Sequence, residues 1–113
     1  MAREIINQSK NFTQIDAINS RNGVALKDMD GETIIVKALG IVKDVDKETG
    51  EVKEVGVIIT NEGDCYTTIS DNAIDVITDT MEYAGVKKLT YKVNVRKSKG
   101  GRDFISIVAG IAD

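Results

Sequence analysis

The run Leu89-Thr90-Tyr91-Lys92-Val93-Asn94-Val95-Arg96 alternates apolar and polar residues without a break. After Lys97-Ser98-Lys99-Gly100-Gly101, a second run follows: Arg102-Asp103-Phe104-Ile105-Ser106-Ile107-Val108-Ala109. Successive side chains of a strand point to opposite faces, so the two runs read as a β-hairpin with two unlike faces. A five-residue loop, 97–101, pairs Arg96 with Arg102, Asn94 with Phe104 and Lys92 with Ser106. It also sets Val93 against Ile105 and Tyr91 against Ile107. A four-residue loop would put Arg102 against Val95. Because a one-residue slip turns every side chain over, burial selects the odd loop. One face is then Leu89, Tyr91, Val93, Ile105, Ile107 and Ala109, a core face. The other is Lys92, Asn94, Arg96, Arg102, Phe104 and Ser106. Arginine opposite arginine is destabilising on a bare sheet. A phosphate would relieve it, with Phe104 available to stack on a base.

The charge of the whole chain points the same way once it is divided. The 113 residues carry a net −3. Residues 28–85 hold fourteen acids against four lysines, a net −10. Residues 86–113 hold seven cations against two acids, a net +5, and residues 1–27 are at +2. An acidic body with a basic C-terminal segment implies a surface that faces a polyanion.

Upstream of the hairpin the chain reads as strands separated by turns. Asp28-Met29-Asp30-Gly31, Asp46-Lys47-Glu48-Thr49-Gly50 and Asn61-Glu62-Gly63-Asp64 divide short β-branched runs near 22–28, 32–43, 52–60 and 64–69. Such runs with Asp/Gly turns between them are antiparallel hairpins. Gly40 lies inside one of them, where a glycine marks a bulge or a sharp bend. One helix is expected over 71–84. Ser70 offers its N-cap, Asp71 and Asp75 sit at the positive end of its dipole, and Gly85 offers a left-handed stop. Ile74, Ile77, Met81 and Ala84 form its apolar stripe, which reads as core.

The expected fold is therefore mainly β with one α-helix: an OB-fold-like small β-barrel, the helix lying between the early strands and a C-terminal hairpin. The length fits a single domain, with residues 1–20 as an N-terminal segment and 21–110 as the barrel. Such a barrel closes its own edges and leaves one face and its loops to hold oligonucleotides.

Three short segments now resemble a family. Asp30-Gly31-Glu32, the junction Tyr66-Thr67-Thr68-Ile69-Ser70, and Lys97-Ser98-Lys99-Gly100-Gly101-Arg102-Asp103-Phe104 are similar to small single-stranded-DNA-binding proteins of bacteriophages. The resemblance covers most of residues 22–109 by order of elements. It implies an OB barrel that coats DNA exposed during replication, without strong sequence preference. Carried over by position, it makes Lys97, Lys99, Arg102 and Phe104 contacts. The chain departs from the pattern in having few aromatics: Phe12, Tyr66, Tyr83, Tyr91 and Phe104. Tyr83 falls on the helix and Tyr91 on the core face, which leaves Phe12, Tyr66 and Phe104 as platforms. The expected nucleic-acid contacts are Lys92, Asn94, Arg96, Lys97, Lys99, Arg102, Phe104 and Tyr66.

Catalysis has little to work with. The chain has no His, which removes His bases, triads and metal ligands. Its single Cys65 cannot form an internal disulfide or a multi-cysteine metal site, and nothing is present to activate it. Asp44, Asp46, Glu48 and Glu51 do not keep the spacing of a calcium loop, and Gly100-Gly101 lacks the Lys-Ser/Thr of a phosphate-binding P-loop. The reading is a binding protein, not an enzyme, with no cofactor and no metal.

Single-stranded DNA is the expected partner, with RNA open as the other polymer. One or two stacked bases and four phosphates give modest affinity, so useful coating implies cooperativity or a homo-oligomer, with Ile5–Ile18 or a hairpin edge as the contact. The alternative is an acidic interaction or inhibitor protein, its 28–85 segment imitating nucleic acid for a basic partner. Neither a leader peptide nor a long apolar run is legible, so no membrane partner is expected. The expected compartment is the cytoplasm, the host's if the chain is phage-encoded.

Overall fold

The computed structural model describes residues 4–97, 99–101 and 103–112. Seven strands form one curled sheet: β1 (Glu4–Gln8), β2 (Val24–Ala25), β3 (Thr33–Val45), β4 (Val52–Thr60), β5 (Cys65–Thr68), β6 (Lys88–Lys97) and β7 (Asp103–Ala112). Two short helices accompany them, α1 (Gln14–Asn19) and α2 (Asp71–Thr80). The fold is mostly β, a curled half-barrel of OB type, as expected. The number of helices is not: α1 was absent from the expectation.

The sheet order is β2-β5-β4-β3-β6-β7, with β1 also on β3. The thirteen-residue β3 is its spine. Val36–Val45 pairs β4 along one side. On the other side Thr33–Val36 pairs β6, and Gly40–Lys43 pairs β1. A bulge between Val36 and Ala38 bends the strand between these two partners. The closing of the barrel's edges does not occur among the described residues. The sheet runs from β2 to β7, and a cleft of about 480 Å³ separates Thr67 and Thr68 of β5 from Ile105 of β7.

Two cores result, one on each side of β3 and β4. The inner core gathers Leu26, Ile34, Leu39, Ile58, Leu89, Tyr91 and Val93 with Ile74, Ile77, Met81 and Ala84 of the helix stripe. The stripe is core, as read. The α-helix itself stops at Thr80, and Met81–Tyr83 continue as one 3-10 turn. Ser70 caps α2 by accepting from Ala73 N at 3.4 Å, and Gly85 ends the region at φ 79°.

Inside this core the Tyr91 hydroxyl shares a 2.6 Å hydrogen bond with Thr80. Burial pushes its pKa up to about 12, and the Thr80 bond pulls back only part of that. An unfolded tyrosine ionises near 10. The folded state therefore holds this proton more tightly, and its contribution to stability is whole below about pH 10 and lost as the pH rises toward 12. In a spectrophotometric titration, one phenol of three is expected to ionise last, with unfolding following it. Tyr91→Phe should remove that late step.

The outer core is the unexpected one. Phe12, Ala17, Ala38, Val42, Val55 and Val57 are buried together. Residues 4–23 thus form a strap over the outer face of β3 and β4. Ser9 ties it down: its N–H donates to Leu39 O at 2.8 Å, and its hydroxyl accepts from Leu39 N at 3.0 Å. Asn11 donates to Lys37 O at 2.8 Å. Thr13 and Asp16 cap α1 reciprocally: Asp16 N donates to Thr13 Oγ1 and Thr13 N donates to Asp16 Oδ2.

Two expectations are corrected by this strap. Phe12 is only 2% exposed, so it is no stacking platform. Gly40 lies in the regular part of β3, not at a bulge. It is glycine because the Phe12 ring rests on it: a Cβ there would lie 2.5 Å from Phe12 Cε1 and Cζ.

Candidate nucleic-acid interface

The β6–β7 hairpin has the two faces expected, in a different register. Arg96 pairs with Phe104, Asn94 with Ser106, Lys92 with Val108, Val93 with Ile107 and Tyr91 with Ala109. Compared with the expected pairing, β7 is displaced by two residues. β6 extends through Lys97, which pairs with Asp103, so the five-residue loop is 98–102 and not 97–101. A slip of two restores the same faces, so burial does not distinguish the two registers. The loop decides, with Gly101 at φ 79° making the turn. The Arg96–Arg102 pairing is lost with the old register. Arg102 itself, a predicted contact, lies outside the described residues.

The inward face holds as predicted for Leu89, Tyr91, Val93, Ile105 and Ile107, all buried. Ala109 is exposed instead, although Tyr91 across from it is fully buried.

The outward face brings most of the predicted residues together. Phe104 is 46% exposed for a wholly apolar side chain. It stands directly across from Arg96, and residues so paired have Cβ atoms about 5 Å apart. Asn94 and Ser106, both half-buried, form the next outward rung, and Lys92 with Val108 the one after. Lys97 and Lys99 are exposed where the hairpin turns. Lys92 donates from Nζ to Gly31 O at 2.7 Å, which fixes its head beside the turn before β3. Asp30 and Gly31 belong to the same construction: Asp30 Oδ1 accepts from Val95 N at 2.8 Å, and Gly31 N donates to Val93 O. The face continues onto β3, where Thr33 pairs with Lys92 and Ile35 with Thr90. Ile35 and Val108 add exposed apolar surface, Val108 at 60%. This is a sheet face of cations, amide, hydroxyl and one aromatic, suited to phosphates and stacked bases together.

Tyr66 is not part of it. It pairs with Ile58 on β4 and packs against the inner core. Its cleft is lined by Glu62 and Asp64 as well as Thr33 and Ile35. Partial burial raises the phenol pKa first, and Asp64, Glu62 and Glu32 raise it further. A site with that negative field repels phosphate.

Two features escaped the sequence reading. The strap that covers the outer face of β3 and β4 had a legible sign, the Thr13-x-x-Asp16 capping pattern. The extension of the outward face onto Thr33 and Ile35 had none, because strand pairing of β3 with β6 is a long-range choice.

A family model described as phage single-stranded DNA-binding protein, of the Phi29 type, matches residues 7–110. No curated protein and no solved structure matches the chain. The matched span takes in most of the strap, the spine strand, α2 and nearly all of the final hairpin. Among the described residues no helix is long and apolar enough to cross a membrane. The chain belongs to the family of Phi29-type phage single-stranded DNA-binding proteins.

Proposed function

We propose that the outward face of β6 and β7 binds single-stranded DNA without regard to sequence, and that the protein protects or organises such DNA during phage replication or recombination in the host cytoplasm. The observation that carries this reading is the Arg96–Phe104 pair, a cation and an exposed aromatic on one rung, with Asn94 and Lys92 on the rungs beyond. A base stacked on Phe104 leaves its phosphate within reach of Arg96. Lys97 and Lys99 continue the cationic track where the hairpin turns, and Arg102 is proposed from the sequence as a further contact. No base-edge code is needed, since every base has a face to stack. The chemistry carried on this face is binding, not catalysis. RNA would be held by the same contacts, and coating of long strands calls for several copies acting together or for a homo-oligomer.

The acidic-partner alternative has no such assembly behind it. Its carboxylates are divided among the segment before β3, the β3–β4 turn and the strands beside it, the β4–β5 turn, and α2 with the 3-10 turn after it.

Fluorescence anisotropy with labelled oligo(dT) tests the reading. Lys92, Arg96, Lys97 and Lys99, if each meets one phosphate, give a slope of log affinity against log salt of about −3, from about −0.7 per phosphate. Duplex of equal length should bind more weakly, because its bases cannot reach Phe104. Absence of binding at low salt would overturn the proposal. Oligo(U) in the same assay decides the DNA preference.

A further inference from the structure

A third cleft opens beside the outward face, where four separate segments meet. It holds about 480 Å³ and is lined by Asn11 of the strap, Ile35 and Lys37 of β3, Asn61 of the β4–β5 turn, and Val86 and Lys88 after α2. Lys87 also lines it, and no carboxylate does. That distinguishes it within an acidic protein. The cleft between β5 and β7 contains Asp44, and the one at Tyr66 contains Glu62 and Asp64.

The walls are firmly built. The Asn11 amide is committed on both sides, donating to Lys37 O at 2.8 Å and accepting from the Ser9 hydroxyl at 2.8 Å. Gly85 abuts it so closely that a Cβ would lie 2.5 Å from Asn11 Nδ2. The turn that follows is held by Tyr83 O, which accepts from both Val86 N and Lys87 N. Val86 is nevertheless 71% exposed, an apolar side chain presented to solvent from a fixed backbone. Asn61 is anchored by its own N–H, which donates to Ile35 O.

Its position relative to the hairpin gives it meaning. Lys88 is the first residue of β6 and shares the outward side with Lys92 and Arg96, at steps of four residues. At about 3.3 Å per residue, Lys88 and Arg96 lie about 26 Å apart along one straight row of cations. Ile35 belongs to both the outward face and the cleft.

We infer that this cleft is a second contact site for single-stranded nucleic acid, taking the strand as it leaves the hairpin face. Lys37 and Lys88 grip backbone phosphates, and Ile35 and Val86 offer apolar surface to the bases. The inference rests on the single-strand-binding reading above and extends it to residues outside the hairpin.

The test uses the exposed pair Lys37→Ala/Lys88→Ala, with Lys43→Ala/Lys47→Ala as a charge-matched control at the far end of β3 and in the turn after it, away from the Thr33–Val36 pairing with β6. An oligo(dT) of about sixteen nucleotides, the upper site size of one OB fold, is the probe. With the cleft's two phosphates added to the hairpin's four, the unaltered slope on this probe is about −4, and the cleft variant should bind more weakly and flatten it by about 1.4, back to the value of about −3 for the hairpin face alone. The control should leave the slope as in the unaltered protein. If the unaltered protein binds and the cleft variant keeps its affinity and slope, the cleft is overturned and the hairpin reading stands. Equal flattening in both variants also overturns it, since only net charge would then matter. If the unaltered protein does not bind, the single-strand reading itself falls, and the cleft with it.

Discussion

Phe12→Ala is expected to lower the unfolding free energy by about 3–5 kcal/mol, the range for deleting a buried aromatic. A domain of this size has about 5–15 kcal/mol in all, so the variant should be partly unfolded at moderate temperature. The size of the effect follows from position. Phe12 is the largest side chain of the outer core, and it is seated against a β3 backbone that carries no Cβ at Gly40. Gly40→Ala places a methyl group 2.5 Å from the ring and should cost about 1–3 kcal/mol by overpacking. The two changes are coupled. With Phe12 already alanine, Gly40→Ala should cost nothing, or stabilise by about 0.5–1 kcal/mol through the poor strand propensity of glycine. Urea denaturation of the four proteins measures the cycle. Additive losses would show that the ring does not rest on Gly40, and the account of the strap would fail with them.

Phe104→Ala should weaken oligo(dT) binding by about 5–150-fold, the loss of about 1–3 kcal/mol of stacking. The salt slope should stay unchanged, because no charge is removed. Arg96→Ala, one rung-mate away, should do the converse and flatten the slope by about 0.7. Phe104→Tyr keeps the ring and should retain most of the affinity. With Phe104 half in solvent, the urea midpoint of Phe104→Ala should move little. Anisotropy titrations at three salt concentrations separate these outcomes. A Phe104→Ala protein that binds as well as the unaltered one would remove stacking from the mechanism and leave only the cations.

Residues 88–112 show where sequence reading stops. The alternation from Leu89 to Arg96 dictates which side chains share a face, because the strand period of two is a local property. It does not dictate the rung. Displacing β7 by two residues leaves Phe104 outward and Ile105 inward, yet changes the partner of Arg96 from Arg102 to Phe104. The argument from like-charge repulsion was lost in that step, while the face it described survived. α2 was legible for the same reason as the hairpin faces: its stripe and its Ser70 cap are written within a few turns, whereas its end at Thr80, short of the Gly85 stop expected, was not.

The N-terminal twenty residues were legible only in part. Thr13-x-x-Asp16 announces a helix start, but a six-residue helix with Ile15 and Ile18 exposed has too little amphipathic pattern to stand out. Parity along β7 puts Phe104 on the outward side, but nothing local says that Phe12 is core. Phe12 lies between the polar Asn11 and Thr13, whereas Phe104 opens the apolar alternation of Ile105 and Ile107. Their fates differ because β3 carries Gly40 where the strap crosses it, a meeting of residues 28 apart. Tyr66 stands apart from the hairpin face, in a cleft shared with Glu62 and Asp64 of the turn before it and with Thr33 and Ile35 of β3.

By itself the sequence determined the kind of protein this is. Its cations and an aromatic fall on one side of a strand pair by parity alone. These are properties of composition and of neighbours along the chain. Only the tertiary structure decided which aromatic meets solvent, which rung each cation occupies and which outer face stays open. Those outcomes depend on contacts between distant segments, where loop geometry and the fit of a ring against a bare backbone outweigh any local preference.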